Sequence, residues 1–126
     1  MAKEIKALRM EPGKDPFEIT ISDSLESLQT QVEGYIEYVG LDEKVMAVLN
    51  EEGKLCGMEP NAVIYDDSGK PADILVGPII IAGIDDEDED SGLCSLTDEQ
   101  ITKYKARYAI SKRSTEVCLA MLFCLG

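Results

Sequence analysis

The sequence predicts a small α+β fold with a mixed, mostly antiparallel sheet built from hairpins. One helix follows the second strand, and one or two helices end the chain. Three observations predict this fold: short alternating apolar stretches, turn residues between them, and a helical period that appears twice. The 126 residues predict a single domain. We expect a sheet-rich core over 1–84, an acidic flexible loop over 85–92 and a C-terminal helical segment over 93–126.

The first three elements follow from residue spacing. Residues 3–10 alternate, with an apparent slip in phase at Ala7 and Leu8, and predict a strand. Residues 17–21 alternate cleanly and predict a second strand, joined to the first by a turn at 11–14 that contains Pro and Gly. Apolar residues then recur every three or four positions after a serine-rich cap, so we expect a helix over 24–33.

Two further strands are predicted in the middle of the chain. They cover residues 35–39 and 45–49, with a turn over 40–43 between them. The segment Asn50–Lys54 follows, and its polar composition with a late glycine is typical of a hairpin loop. We expect Gly53 to take a positive φ there.

The next segment combines turns with a long apolar run. Residues 62–65 predict a single helical turn, and residues 66–69 predict a second hairpin-type turn. Residues 73–84 are almost continuously apolar and β-branched, which favours one long buried strand. Gly77-Pro78 would form a bulge or kink within it.

The C-terminal third predicts one helix clearly and leaves another segment open. Thr97 and Gln100 match a capping box, so we expect a helix over 98–108. The apolar run Val117–Leu125 is about half the length of a bilayer span. It is consistent with a core helix, with an exposed surface for homo-oligomerisation, or with a processed tail.

The charge is negative and unevenly distributed. The net charge is −13, of which residues 1–84 contribute −9 and residues 91–126 contribute +2. Every position from Asp85 to Asp90 is acidic and together they contribute −6. Such a field repels nucleic acids and anionic membranes. We therefore expect no direct binding to nucleic acid or to a membrane.

The sequence lacks the residues that most catalytic and metal sites require. The chain has no histidine, no phosphate-binding glycine loop and no dinucleotide fingerprint. Asp86, Asp88 and Asp90 imitate the start of a calcium loop, but Ser91 stands at the glycine position and Thr97 at the glutamate position. We expect no metal site, no cofactor and no enzymatic activity.

The four cysteines indicate a reducing compartment. Cys56, Cys94, Cys118 and Cys124 have spacings that match no common zinc module, so we expect mostly buried thiols. No secretory signal begins the chain. Both observations predict the cytoplasm.

The segments Asn50–Lys54, Glu59-Pro60-Asn61 and Asp73–Gly77 resemble an uncharacterised bacterial and phage family, a domain of unknown function. Its members carry an NEEGK turn, a PPN segment and a DIIxG strand. Here Glu59 replaces the first proline, and Ala62 stands where a basic residue is usual. The resemblance covers roughly residues 3–108. The resemblance implies that the protein is encoded on a mobile element, among accessory genes that counter host defences, and acts in the cytoplasm of a host cell. Because the family's function is unknown, the resemblance assigns no site residue.

Together these observations predict a non-enzymatic inhibitor of a host defence nuclease, of the anti-CRISPR or anti-restriction type. It would bind a basic protein surface through an acidic face. The alternative is a protein that binds or sequesters a nucleotide signal, through Asn50, Gly53 and Lys54. The acidic face would consist of Asp85, Asp86, Glu87, Asp88, Glu89, Asp90, Glu51 and Glu52.

Overall fold

The computed structural model describes residues 3–85 and 92–125, with side chains up to Leu122. Every strand pair in this part of the chain is antiparallel, which confirms the predicted α+β class with a helix after the second strand. The elements are β1 (Glu4–Met10), β2 (Phe17–Ser22), α1 (Leu25–Val32), β3 (Ile36–Asp42), β4 (Val45–Asn50), β5 (Pro60–Tyr65), β6 (Pro71–Val76), β7 (Ile79–Ile84), β8 (Leu93–Cys94), α2 (Asp98–Arg107) and α3 (Ile110–Leu125).

The three central strands of the main sheet, β1, β7 and β4, are largely buried on both faces. Its strand order is β2-β1-β7-β4-β3, and β8 extends it beside the end of β7. Helix α1 packs on one face, and the separate β5–β6 ribbon and α2 pack on the other. The α1 side includes Ile5, Ala7, Ile21, Leu28, Val32, Val48, Ile80 and Ala82; the opposite side includes Leu8, Met10, Ala47, Leu49, Leu75, Ile79, Ile81, Ile101 and Tyr104.

Burial on both faces corrects the predicted slip in phase in β1. Ile5 and Ala7 face the α1 side, whereas Leu8 and Met10 face the opposite core. The strand therefore alternates regularly, and its neighbouring apolar residues belong to two different cores.

The long apolar run over 73–84 is two strands. β6 pairs with β5, whereas β7 lies between β1 and β4 in the main sheet. The predicted bulge at Gly77-Pro78 is a corner between the two sheets, where Gly77 has a φ of +75°. The prediction of a buried strand is confirmed for β7, in which residues 79–83 are all buried.

The predicted hairpin at Asn50–Lys54 is wrong, because β4 and β5 belong to different sheets. Residues 51–57 instead form consecutive tight turns, in which the Met58 N–H donates to Gly53 O at 3.0 Å. Gly53 does not have a positive φ. Glycine is needed there for close packing, since a Cβ would lie 2.8 Å from Val76 Cγ2.

Two other local predictions are also wrong. Residues 62–65 form part of β5 instead of a helical turn, and they pair with β6. The turn expected over 40–43 lies later, because β3 continues to Asp42 through a β-bulge after Gly40. The predicted turn over 66–69 is confirmed: the Asp66 N–H donates to Lys70 O at 2.9 Å, and Gly69 has a φ of +84°.

Helices α1 and α2 begin where their caps predict. In α1, the Ser24 hydroxyl accepts from the Ser27 N–H at 3.1 Å. In α2 the capping box is complete, because the Thr97 hydroxyl accepts from the Gln100 N–H at 3.1 Å and the Thr97 N–H donates to Gln100 Oε1 at 2.9 Å. Such caps satisfy backbone donors that the first helical turn leaves without partners.

Helix α3 packs mainly on β5 and inserts one arginine into the interior. Lys112 is exposed, whereas its neighbour Arg113 is only 1% exposed. Its guanidinium donates to Asn61 O, to Asn61 Oδ1 and to Glu11 O at 3.0, 2.9 and 2.8 Å. Arg113 therefore joins the C-terminal helix to the two sheets.

Candidate functional site

One end of the main sheet carries exposed carboxylates around two exposed apolar side chains. Glu51 and Glu52 begin the turn after β4, and the Glu51 N–H donates to Tyr35 O at 2.9 Å. Tyr35 is 67% exposed and Leu55 is 89% exposed. Large exposed apolar side chains next to charged ones are typical of protein-binding surfaces. We call this surface the acidic end; it consists of Glu33, Tyr35, Glu37, Glu51, Glu52 and Leu55.

A groove of about 240 Å³ at the acidic end is lined in part by Glu37, Glu51 and Leu55. Its charged lining consists of Glu37, Glu51, Asp73 and Lys54. Lys54 Nζ forms an ion pair with Asp73, which neutralises that carboxylate. Glu37 and Glu51 form no ion pair with residues in the described ranges, so the groove keeps a net negative charge.

Asn50 explains why the turn after β4 has its shape. This side chain is buried; its Nδ2 donates to Val32 O at 3.0 Å and its Oδ1 accepts from the Glu52 N–H at 2.7 Å. One amide therefore ties the end of α1 to the start of the turn. A Cβ at Gly34 would lie 2.7 Å from this Nδ2, so Gly34 makes room for the contact.

The three residues predicted for the alternative nucleotide site, Asn50, Gly53 and Lys54, differ in their burial and contacts. Asn50 is buried and used in the hydrogen bonds above, and Gly53 is buried beneath Val76 and Met58. Lys54 is exposed and ion-paired with Asp73. Asn50 and Lys54 line the same groove, but their polar groups are already engaged with other parts of the chain.

The acidic run begins at the opposite end of β4. The Ile84 N–H donates to Lys44 O, just before β4, and the Asp85 N–H donates to Gly92 O at 2.8 Å. The side chains of Asp86, Glu87, Asp88, Glu89 and Asp90 lie outside the described residues. Since β4 has six residues, the base of the run and the Glu51-Glu52 pair lie about 20 Å apart. Asp85 and the Glu51-Glu52 pair therefore lie at opposite ends of β4.

A second polar site, which the sequence did not predict, lies between α2 and the ends of β3 and β5. It is a cleft of about 320 Å³. Asp42 Oδ2 accepts from Lys103 Nζ at 3.2 Å and from the Tyr104 hydroxyl at 3.4 Å. Arg107 binds both carboxylate oxygens of Glu116, at 3.0 and 3.3 Å.

The tyrosines of this cleft stay protonated at neutral pH. Burial, reinforced by the Asp42 charge, raises the pKa of Tyr104 to about 12. The rings of Tyr104 and Tyr108 stack with centroids 6.0 Å apart, and the Arg107 guanidinium lies 4.9 Å from the Tyr108 centroid. The helical spacing of Tyr104, Arg107 and Tyr108 could have indicated from the sequence that these side chains lie together. The participation of Asp42 required the bulge in β3, which the sequence did not indicate.

The apolar end of α3 is largely exposed. Ala120 is buried, but Leu119 is 62% exposed and Leu122 is 69% exposed. The segment is thus helical, and only part of it packs in the core. The prediction of mostly buried thiols is wrong for Cys56 and Cys118, which are exposed.

No helix in the described part of the chain is long and apolar enough to cross a bilayer. Within the same ranges, no group of three or more cysteine and carboxylate side chains is arranged to hold a metal ion.

Comparison with known proteins identifies the family. No curated protein matches the chain, and no solved structure does. One family model, DUF3846, a domain of unknown function, matches residues 5–109. From Ile5 onward, that match includes the eight strands of the described ranges, α1 and α2, and with them the acidic end and the turn after β4. The chain therefore belongs to the DUF3846 family of domains of unknown function.

Proposed function

We propose that this protein is a non-enzymatic binding protein whose acidic end engages a basic surface on another protein. The observation that carries the proposal is the position of Tyr35 and Leu55. Both are more than half exposed. Glu51 is bonded to Tyr35 and lines a groove with Glu37 and Leu55, and neither carboxylate has an ion partner in the described ranges. Exposed apolar anchors supply the area that a partner buries, and the surrounding carboxylates select a partner rich in lysine and arginine.

The proposed target is a nuclease of a host defence system. A groove that holds nucleic acid is lined with lysine and arginine, because phosphates dominate that binding. An acidic protein surface fits such a groove by charge and competes with the nucleic acid for it. The mobile-element context comes from the family resemblance of the segments around Asn50–Lys54, and the charge of the acidic end agrees with it.

Binding of a nucleotide signal stays the alternative. The cleft beside α2 offers aromatic rings and two cations, which suit a planar anionic ligand. In that cleft, however, Lys103 and Arg107 already have carboxylate partners. A ligand would have to displace Asp42 and Glu116, whereas the acidic end needs no such exchange. The acidic end is therefore the stronger proposal.

Neutralising the acidic end tests the proposal. In the variant E33Q/E37Q/E51Q/E52Q, we expect binding to a basic nuclease captured from bacterial lysate to weaken about tenfold or more, because several charge pairs are lost. Inhibition of that nuclease should weaken in parallel. The measurements are the affinity by calorimetry and the rate of substrate cleavage.

The matched control removes the same number of charges elsewhere. The variant E4Q/E18Q/D67N/E99Q neutralises four exposed carboxylates on β1, β2, the β5–β6 turn and α2. It should bind and inhibit like the unmodified protein within about threefold, since only the net charge changes. Equal losses in the two variants would show that the location of the charge is irrelevant, and would contradict the proposal.

A further inference from the structure

Strand β3 is the outermost strand of the main sheet beside the acidic end. It pairs with β4 on one side, and no strand in the described ranges pairs with its other side. An edge of this kind presents unpaired N–H and C=O groups that another strand can use. Of the seven residues in β3, Glu37, Tyr38, Gly40 and Asp42 are exposed.

The hydrogen-bond pattern shows which amides point outward. The Glu51 N–H donates to Tyr35 O, so residues 35 and 51 form a hydrogen-bonded pair, and such pairs recur at every second residue. Residues 37 and 39 therefore bond to β4. The other ladder of β4 agrees, because the Ile84 N–H donates to Lys44 O and places the even-numbered residues of β4 against β7. The N–H and C=O groups of Ile36 and Tyr38 thus face the open edge.

The first half of this edge, up to the β-bulge after Gly40, carries neither lysine nor proline. Proteins commonly block edge strands with lysine or proline. Pro16 precedes β2, and β6 begins with Pro71. From Glu33 to Glu43, in contrast, the chain contains neither proline nor lysine, and four of its residues are acidic.

Exposed carboxylates lie near both ends of β3. Tyr35, just before the strand, is bonded to Glu51, whereas Asp42, which is ion-paired with Lys103, and Glu43 lie at its last end. β3 has seven residues and so spans about 23 Å between these ends. A strand laid along the edge would meet carboxylates at both ends.

We infer that the β3 edge binds an extended, lysine- or arginine-rich segment of a partner protein as an additional strand. The inference rests on the proposed function and specifies how the partner binds. Basic residues of the segment would lie opposite Glu37, on the groove side. Apolar residues would alternate with them and lie opposite Ile36 and Tyr38 on the other side.

The probe for this inference is a ten-residue peptide of alternating lysine and valine. In the bound state, hydrogen exchange measured by NMR should slow about tenfold or more at the Ile36 and Tyr38 amides. The Glu37 and Val39 amides, already bonded to β4, should change little. A peptide of alternating glutamate and valine should not bind. Failure of the lysine peptide to bind at low salt, or binding without protection of these two amides, overturns the inference.

A pair of variants at position 38 separates the contribution of the backbone N–H to peptide binding from that of the side chain. Tyr38→Pro and Tyr38→Ala both remove the ring, but only proline removes the outward N–H, and edge positions with outward N–H groups tolerate proline. We expect Tyr38→Pro to bind the peptide about tenfold more weakly than Tyr38→Ala. Thermal unfolding of both variants checks that they fold, and the exchange experiment on the unmodified protein does not depend on them.

The outcomes distinguish this inference from the proposed function. If the acidic-end variant loses the peptide while the two Tyr38 variants bind it equally, the edge inference is wrong and the acidic end keeps its role. If neither the acidic-end variant nor Tyr38→Pro changes binding, both the edge inference and the proposed function are wrong.

Discussion

At the residue scale, Arg113 shows how one side chain unites elements distant in sequence. It donates to backbone carbonyls and to Asn61 Oδ1, while Asn61 Nδ2 donates to Met10 O and Gly77 O at 2.8 and 2.7 Å. Burial lowers the pKa of Arg113, an effect that the Asp15 charge opposes. The hydrogen bonds replace the water that a buried cation loses.

Replacing Arg113 should therefore destabilise the protein strongly. Arg113→Met leaves several buried acceptors without donors, at about 1–3 kcal/mol each, so we expect a loss of about 3 kcal/mol or more in the free energy of unfolding. Lys112→Met changes the exposed neighbour on the same helix and should stay within about 0.5 kcal/mol. Urea denaturation measures both. A loss below about 1 kcal/mol for Arg113→Met would show that its hydrogen bonds contribute little.

At the element scale, residue spacing correctly predicted the elements that depend on contacts between residues close in sequence. The capping box at Thr97, the first two strands and the turn over 66–69 are all present, because each depends on residues close in sequence. The turn after β4 and the β5 strand were mispredicted because they depend on which sheet receives each segment. Glycine marks both a hairpin and a crossing between sheets, and only tertiary contacts distinguish them.

The corner at Gly77 gives a test at this scale. Gly77 and Gly13 both have a positive φ, of +75° and +78°, but a Cβ would lie 2.5 Å from Met58 Sδ at Gly77 and would meet nothing within 4 Å at Gly13. We expect Gly13→Ala to cost about 1 kcal/mol from the backbone alone. Gly77→Ala should cost about 2–4 kcal/mol, since overpacking adds to the same backbone effect.

Thermal and urea unfolding of the two alanine variants measure this difference. Losses of equal size would mean that Met58 moves aside without cost. Glycine would then be required at the corner only for its positive φ.

At the scale of the whole molecule, exposed carboxylates gather at one end of the main sheet, a placement that composition does not show. The acidity of Asp85 and of the Glu51-Glu52 pair is plain in the sequence, but their separation by the length of β4 follows only from the sheet order. The exposed Tyr35 and Leu55 were also beyond sequence reasoning, because their exposure depends on the turn that Asn50 holds. The candidate site was therefore predictable in its charge and unpredictable in its shape.

The affinity of the alternating lysine–valine peptide as a function of salt tests the central claim most directly. For the unmodified protein and for the E4Q/E18Q/D67N/E99Q control, we expect affinity to fall about tenfold or more between 50 mM and 500 mM salt, since salt screens exposed charge pairs. For E33Q/E37Q/E51Q/E52Q, the affinity should be low throughout and should depend weakly on salt. An affinity of the unmodified protein that is unchanged between low and high salt would contradict the claim that the acidic end selects a basic partner.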